Sequence, residues 1–143
     1  MRRHFLLPVA GLSLVAEGCV RRNSIVGDWE VRSWRDAGEL YVWPYVYDGG
    51  TSTYTVTWTL RLTRDLVGSF GYEYAATTEN GEESVDSAAY VASARELGGR
   101  RFAIEVGEFD LSLQCSLSED GHALGPCDNR DPEGTLDSVL FRR

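Results

Sequence analysis

Between residues 54 and 63 the chain alternates with a period of two: Tyr54, Val56, Trp58, Leu60 and Leu62 are apolar, and Thr55, Thr57, Thr59, Arg61 and Thr63 between them are polar. Successive side chains of a strand point to opposite faces, so this run predicts a strand with one face buried and one in water. A turn over residues 65–68 leads to Phe70, Tyr72 and Tyr74, which continue the alternation as the other arm of a hairpin. Asn80-Gly81 signals a tight connection into an Ala/Ser-rich strand over residues 85–93. Gly98-Gly99 breaks the chain again. Phe102, Ile104 and Val106 then alternate, followed after Gly107 by Phe109, Leu111, Leu113, Cys115 and Leu117, and a last strand covers residues 135–142. Ahead of these lie two further runs, residues 25–34 and 39–47, parted by Asp36-Ala37-Gly38. No apolar period near 3.6 residues intervenes, so the pattern predicts an all-β fold. An antiparallel up-and-down eight-stranded barrel is the expectation, with a β-sandwich as the alternative. Closure favours the barrel because it removes exposed edges that no lysine and few prolines are present to blunt. Pro44 predicts a bulge, an edge position or a loop within its run. The parity of the strands points Trp29, Val31, Tyr54, Val56, Trp58, Leu60, Leu62, Phe70, Tyr72, Tyr74, Phe102, Ile104, Val106, Leu111 and Leu113 inward.

The first residues follow a different logic. Arg2 and Arg3 precede an apolar stretch over residues 5–16 that is too short to span a bilayer permanently, which is the layout of a signal peptide. Ala16-Glu17-Gly18 puts small residues where a signal peptidase needs them, and Cys19 follows the expected cut. This arrangement resembles the lipobox of bacterial lipoproteins. The resemblance implies removal of residues 1–18, acyl chains on Cys19, a tether over residues 19–24 and a domain over 25–143. Val20 after the cysteine, in place of aspartate, implies the outer membrane. Ordinary secretory cleavage at the same bond, giving a secreted or periplasmic protein, is the alternative.

Charge narrows the partners. Taking Arg2, Arg3 and Glu17 from 14 basic and 22 acidic residues leaves 12 and 21, a net of −9 for the exported part. All the basic residues are arginine. Such a surface repels phosphate backbones and anionic headgroups, so no nucleic-acid partner is expected, and membrane contact is expected only through the lipid anchor. With Cys19 assigned to lipid, Cys115 and Cys127 remain as a pair in an oxidising compartment. A disulfide between them is expected, worth roughly 3 kcal/mol for a loop of about a dozen residues. Two buried free thiols are the alternative.

Candidate chemistry is sparse. His122 is the single histidine of the exported part, and no serine sits in a nucleophile-elbow pattern. Glu79, Glu82, Glu83 and Asp86, and likewise Asp128, Asn129, Asp131 and Glu133, lack the glycine-punctuated spacing of a calcium loop and read as solvated loops. No phosphate loop or nucleotide fingerprint occurs. The sequence therefore assigns no catalytic residue, metal or cofactor. The run Tyr41, Trp43, Tyr45, Tyr47 is large on both faces and uncharged. A wholly buried strand accounts for it, and so does an aromatic binding strip at a barrel mouth, formed by Tyr41, Trp43, Tyr45 and Tyr54 and extended by Trp58.

Gly27-Asp28-Trp29 opens the first strand and Arg142 ends the last one. Together they resemble the Gly-x-Trp motif and the closing arginine of lipocalins and their calycin relatives, in particular the short lipocalin-like domains of bacterial lipoproteins. The resemblance implies a barrel closed at one end by Arg142 over Trp29, a cation–π contact of roughly 0.5–2 kcal/mol. The expected function is non-enzymatic binding of a small apolar ligand or an envelope protein, with a packed lower barrel and any ligand held in a shallow mouth. A barrel enzyme with a carboxylate or His122 site at that mouth is the alternative.

Overall fold

A computed structural model describes residues 24–143. The expected signal peptide, Cys19 and the expected tether up to Asn23 lie outside the described residues. Ten strands form one antiparallel sheet: β1 (Gly27–Asp36), β2 (Glu39–Val42), β3 (Tyr45–Asp48), β4 (Ser52–Leu62), β5 (Val67–Thr78), β6 (Glu83–Gly98), β7 (Arg101–Val106), β8 (Leu111–Ser116), β9 (Ala123–Asn129) and β10 (Leu136–Arg142). Neighbours in sequence pair from β4 round to β10, β10 pairs with β1, and β1 pairs with β4. That ring is a closed eight-stranded up-and-down barrel.

Two of its members differ from the sequence expectation. The run 39–47 is not a stave. Pro44 has no N–H to give a ladder, and the run divides there into β2, which pairs only with β1, and β3, which pairs only with β4. The eighth stave is instead β9, a stretch that Gly125 and Pro126 disguise in the sequence. Phe109 likewise leaves the strand expected for it and sits in a single 3-10 turn, Gly107–Phe109.

The β2–β3 pair explains the shape of the upper barrel. β1 and β4 are in register from Gly27↔Leu62 to Glu30↔Thr59. Above that point they fork. β1 continues against β2 from Ser33↔Val42 and β4 against β3 from Tyr45↔Val56, so the pair forms a wedge in the fork. Its apex is tied down where the Trp43 N–H donates to the Arg32 carbonyl at 2.8 Å. On the far side, β6 pairs with β5 from Glu83 onward but with β7 only from Ser93. The wall made by β3, β4, β5 and β6 therefore rises above the rest of the ring.

The lower half is packed as expected. Trp29, Val31, Leu60, Leu62, Phe70, Phe102, Ile104, Val106, Leu111 and Leu113 are all buried, joined by Leu117, Leu124, Val139 and Phe141. Each such side chain contributes roughly 1.5–3 kcal/mol, and eight strands leave an interior that side chains can fill. The closing arginine is a correction. Phe141 faces in, so strand parity turns Arg142 out to solvent opposite Glu30, and Arg143 is the residue whose guanidinium lies 4.2 Å from the Trp29 ring centre. Arg143 also donates to the carbonyls of Gly121, Val26 and Ser24 at 2.8, 3.0 and 2.6 Å, and the Trp29 indole donates to Ile25 at 2.8 Å. Cys115 and Cys127 form the expected disulfide, with Cα atoms 4.2 Å apart.

Candidate functional site

The inner face of the open end is built of aromatic rings on the side of β1 to β6. Cross-strand register sets them on one face: Tyr47 opposes Tyr54, Tyr45 and Tyr74 flank Val56, Trp58 opposes Tyr72, Phe70 opposes Tyr90, and Trp34 opposes Tyr41. All seven tyrosines of the chain thus lie on the inner face of the upper barrel, each half-buried. Five of the rings form one chain of contacts, with Tyr41–Tyr45, Tyr45–Tyr47, Tyr47–Tyr54 and Tyr54–Tyr74 centroids 5.2, 5.6, 5.0 and 5.1 Å apart, and Tyr72 stacks on Tyr90 at 6.5 Å. Below them Trp34 packs edge-to-face on Trp43 and on Trp58, both at 4.6 Å, and Trp58 packs on Phe109 at 4.7 Å.

Polar atoms in this layer are unevenly satisfied. The Tyr47 and Tyr74 hydroxyls hydrogen-bond to each other, and Tyr41 donates to Glu39 at 2.9 Å. The bond to Tyr47, with burial second, pushes the Tyr74 phenol up to about 12. The Glu39 carboxylate, as acceptor and as a negative charge, raises Tyr41 in the same direction. The indole N–H groups of Trp34, Trp43 and Trp58 are buried and meet no oxygen or nitrogen acceptor. Edge-to-face packing is the arrangement in which a neighbouring ring face can accept such an N–H, a contact weaker than an ordinary hydrogen bond.

The expected strip of Tyr41, Trp43, Tyr45 and Tyr54 is corrected at one position. Trp43 is 5% exposed and belongs to the core, because the wedge apex drives it between β1 and β4, whereas Tyr41, Tyr45 and Tyr54 stay only partly buried. The outward face of the same run carries Leu40, Val42 and Val46, all exposed. Sequence reading missed Trp34, Tyr90 and Phe109 as mouth residues. Carrying the parity of Tyr54 and Trp58 through the next two strands was the signal that could have found Tyr90.

Two cavities adjoin the mouth. One of about 380 Å³ opens on the wall at the fork, beside Trp43, Pro44 and the Glu30–Arg32 ion pair at 3.3 Å. The other, about 260 Å³, enters the barrel from above over Trp34, Trp58 and Phe109. Its rim is braced by Asn129, whose side chain accepts from the Ser112 N–H at 2.9 Å and donates to the Asp110 carbonyl at 3.2 Å. Gly134 fits beneath this brace because a Cβ there would lie 2.5 Å from Asn129 Nδ2 and 2.6 Å from the Asp110 oxygen.

His122 stands at the other end. It occupies the β8–β9 turn, exposed, its N–H donating to Asp120 at 2.9 Å and its carbonyl accepting from Arg143. A His122 site at the mouth is thereby ruled out, since the up-and-down order puts that turn at the closed end. Asn129 and Asp131 cap their own turn, accepting from the Asp131 and Glu133 N–H groups at 3.2 and 2.8 Å. Among the described residues no group of three or more His, Cys, Asp or Glu side chains is placed to hold a metal ion. The chain matches no family model, and no curated protein or solved structure is significantly similar to it.

Proposed function

We propose that this chain is an exported, lipocalin-like lipoprotein, anchored by acyl chains on Cys19, whose barrel binds a small ligand at its open end without catalysis. The observation that carries the reading is the gathering of all seven tyrosines, each only partly buried, on the inner face of the mouth. A purely structural core would bury its rings, as the lower barrel does. Tyrosine supplies a broad apolar face with a hydroxyl at its edge, which suits a largely apolar ligand carrying a few polar atoms. Arg143 over Trp29 supports the lipocalin-like reading, since it is the contact that the resemblance implied, displaced by one residue.

Native mass spectrometry of the protein extracted from its own membrane tests both halves. The expected species begins at Cys19, is heavier by its acyl chains and retains a small molecule. An unmodified mass, or a Cys19→Ser protein still in the membrane fraction, overturns the anchor. A protein that never carries a small molecule overturns the binding reading.

A further inference from the structure

We infer that the mouth cavity recognises an organic cation, a quaternary or protonated amine on an apolar body. This rests on the reading of the mouth as a binding site and adds the ligand's chemical class. The cavity of about 260 Å³ has a floor of Trp34, Trp58 and Phe109 and a rim bearing Asp36, Asp110 and Glu133. None of its lining residues is basic. The ion pairs of the described residues join Arg32 to Glu30, Arg61 to Asp28 and Arg130 to Asp128, and Arg35, next to Asp36 in sequence, donates to the Gly38 carbonyl at 2.9 Å.

Electron-rich ring faces attract a cation within about 6 Å of their centres, and indole does so best. Carboxylates at the entrance add an attraction that an aromatic floor alone lacks. A neutral apolar ligand would gain nothing from three unpaired carboxylates around its entry, and an anion would be repelled by them and by the net charge of −8. The combination selects a positive head with an apolar body, the head over Trp34 and Trp58 and the body against Phe109, Leu111 and Leu136.

Calorimetric titration of the purified full-length protein with choline and with 3,3-dimethyl-1-butanol, its uncharged isostere, tests the inference. Choline should bind at least about fivefold more tightly, the scale of a cation–π contact. An Asp36→Asn, Glu133→Gln protein should lose about threefold to tenfold for choline and little for the alcohol, which also shows that the variant still folds. Equal affinities for the two probes overturn the cation and leave the mouth a binding site. If neither probe binds, the inference falls. A small molecule retained in native mass spectrometry would then keep the binding reading alive, and its absence would end that too.

Discussion

At the scale of single residues, the closed end shows how far parity decides energetics. Arg142 and Arg143 are adjacent and chemically identical, yet one faces water and the other lies over Trp29 and donates to three carbonyls. Arg143→Ala should destabilise the fold by about 2–4 kcal/mol, from the cation–π contact and its charged hydrogen bonds. Arg142→Ala should stay within about 0.5 kcal/mol. Urea unfolding of the two variants checks the pair, and equal losses would mean that the wrong arginine has been assigned. The sequence showed that an arginine belongs at this end. The resemblance pointed to Arg142, although the alternation Val139, Phe141 already carries the inward face of β10 to Arg143; the register shifts beside Leu140 place their extra residues in β1 and β9 and leave that parity intact. The Tyr47–Tyr74 hydroxyl pair gives a pH signature at the other end. Tyr74 is raised in the folded state from 10.0 to about 12, so its contribution to stability is intact below pH 10 and is lost as the pH rises towards 12. Thermal melts across that window should fall less steeply for Tyr74→Phe than for the native protein. An identical alkaline slope would dissolve the claim.

At the scale of elements, strands with clean alternation were legible and interrupted ones were not. β4, β5 and β7 emerge from their parity within a few residues of their observed bounds. β9 stayed hidden because Gly125 and Pro126 supply no alternation and remove a donor, and its partnership with β8 is correspondingly thin, with Leu113↔Asn129 and Gln114↔Asp128 followed by one isolated bridge at Leu117↔Leu124. The disulfide clamps this gap, since Cys115 and Cys127 hold the next register position. Replacing both by alanine should cost about 2–4 kcal/mol, read as a lower urea midpoint, and hydrogen exchange should rise first in β9. Even protection across the barrel in that variant would show that the ladder does not depend on the clamp. The wedge of β2 and β3 was half legible. Pro44 announced a break, but only the β1–β4 register reveals that the break sits in a fork and makes Trp43 a core residue.

At the scale of the whole molecule, the barrel is divided into a sealed half and an aromatic half. Leucine, isoleucine and valine side chains with Trp29, Phe70, Phe102 and Phe141 fill the former, and all seven tyrosines line the latter. The sequence made the ring count and the aromatic bias visible. It hid the mouth's composition, since Trp34, Tyr54, Tyr90, Phe109 and the rim carboxylates come from well-separated stretches that only barrel closure brings together. The central claim is that ligand binding belongs to the aromatic half. Retention of the co-purifying small molecule tests it most directly, compared by native mass spectrometry for the native protein, a Tyr54→Ala, Tyr74→Ala variant and the outward-facing Arg142→Ala control. Loss of two ring contacts at about 0.5–1.5 kcal/mol each should lower the occupied fraction as an affinity drop of about tenfold would, while the control matches the native protein. Undiminished retention in the tyrosine variant would contradict the account.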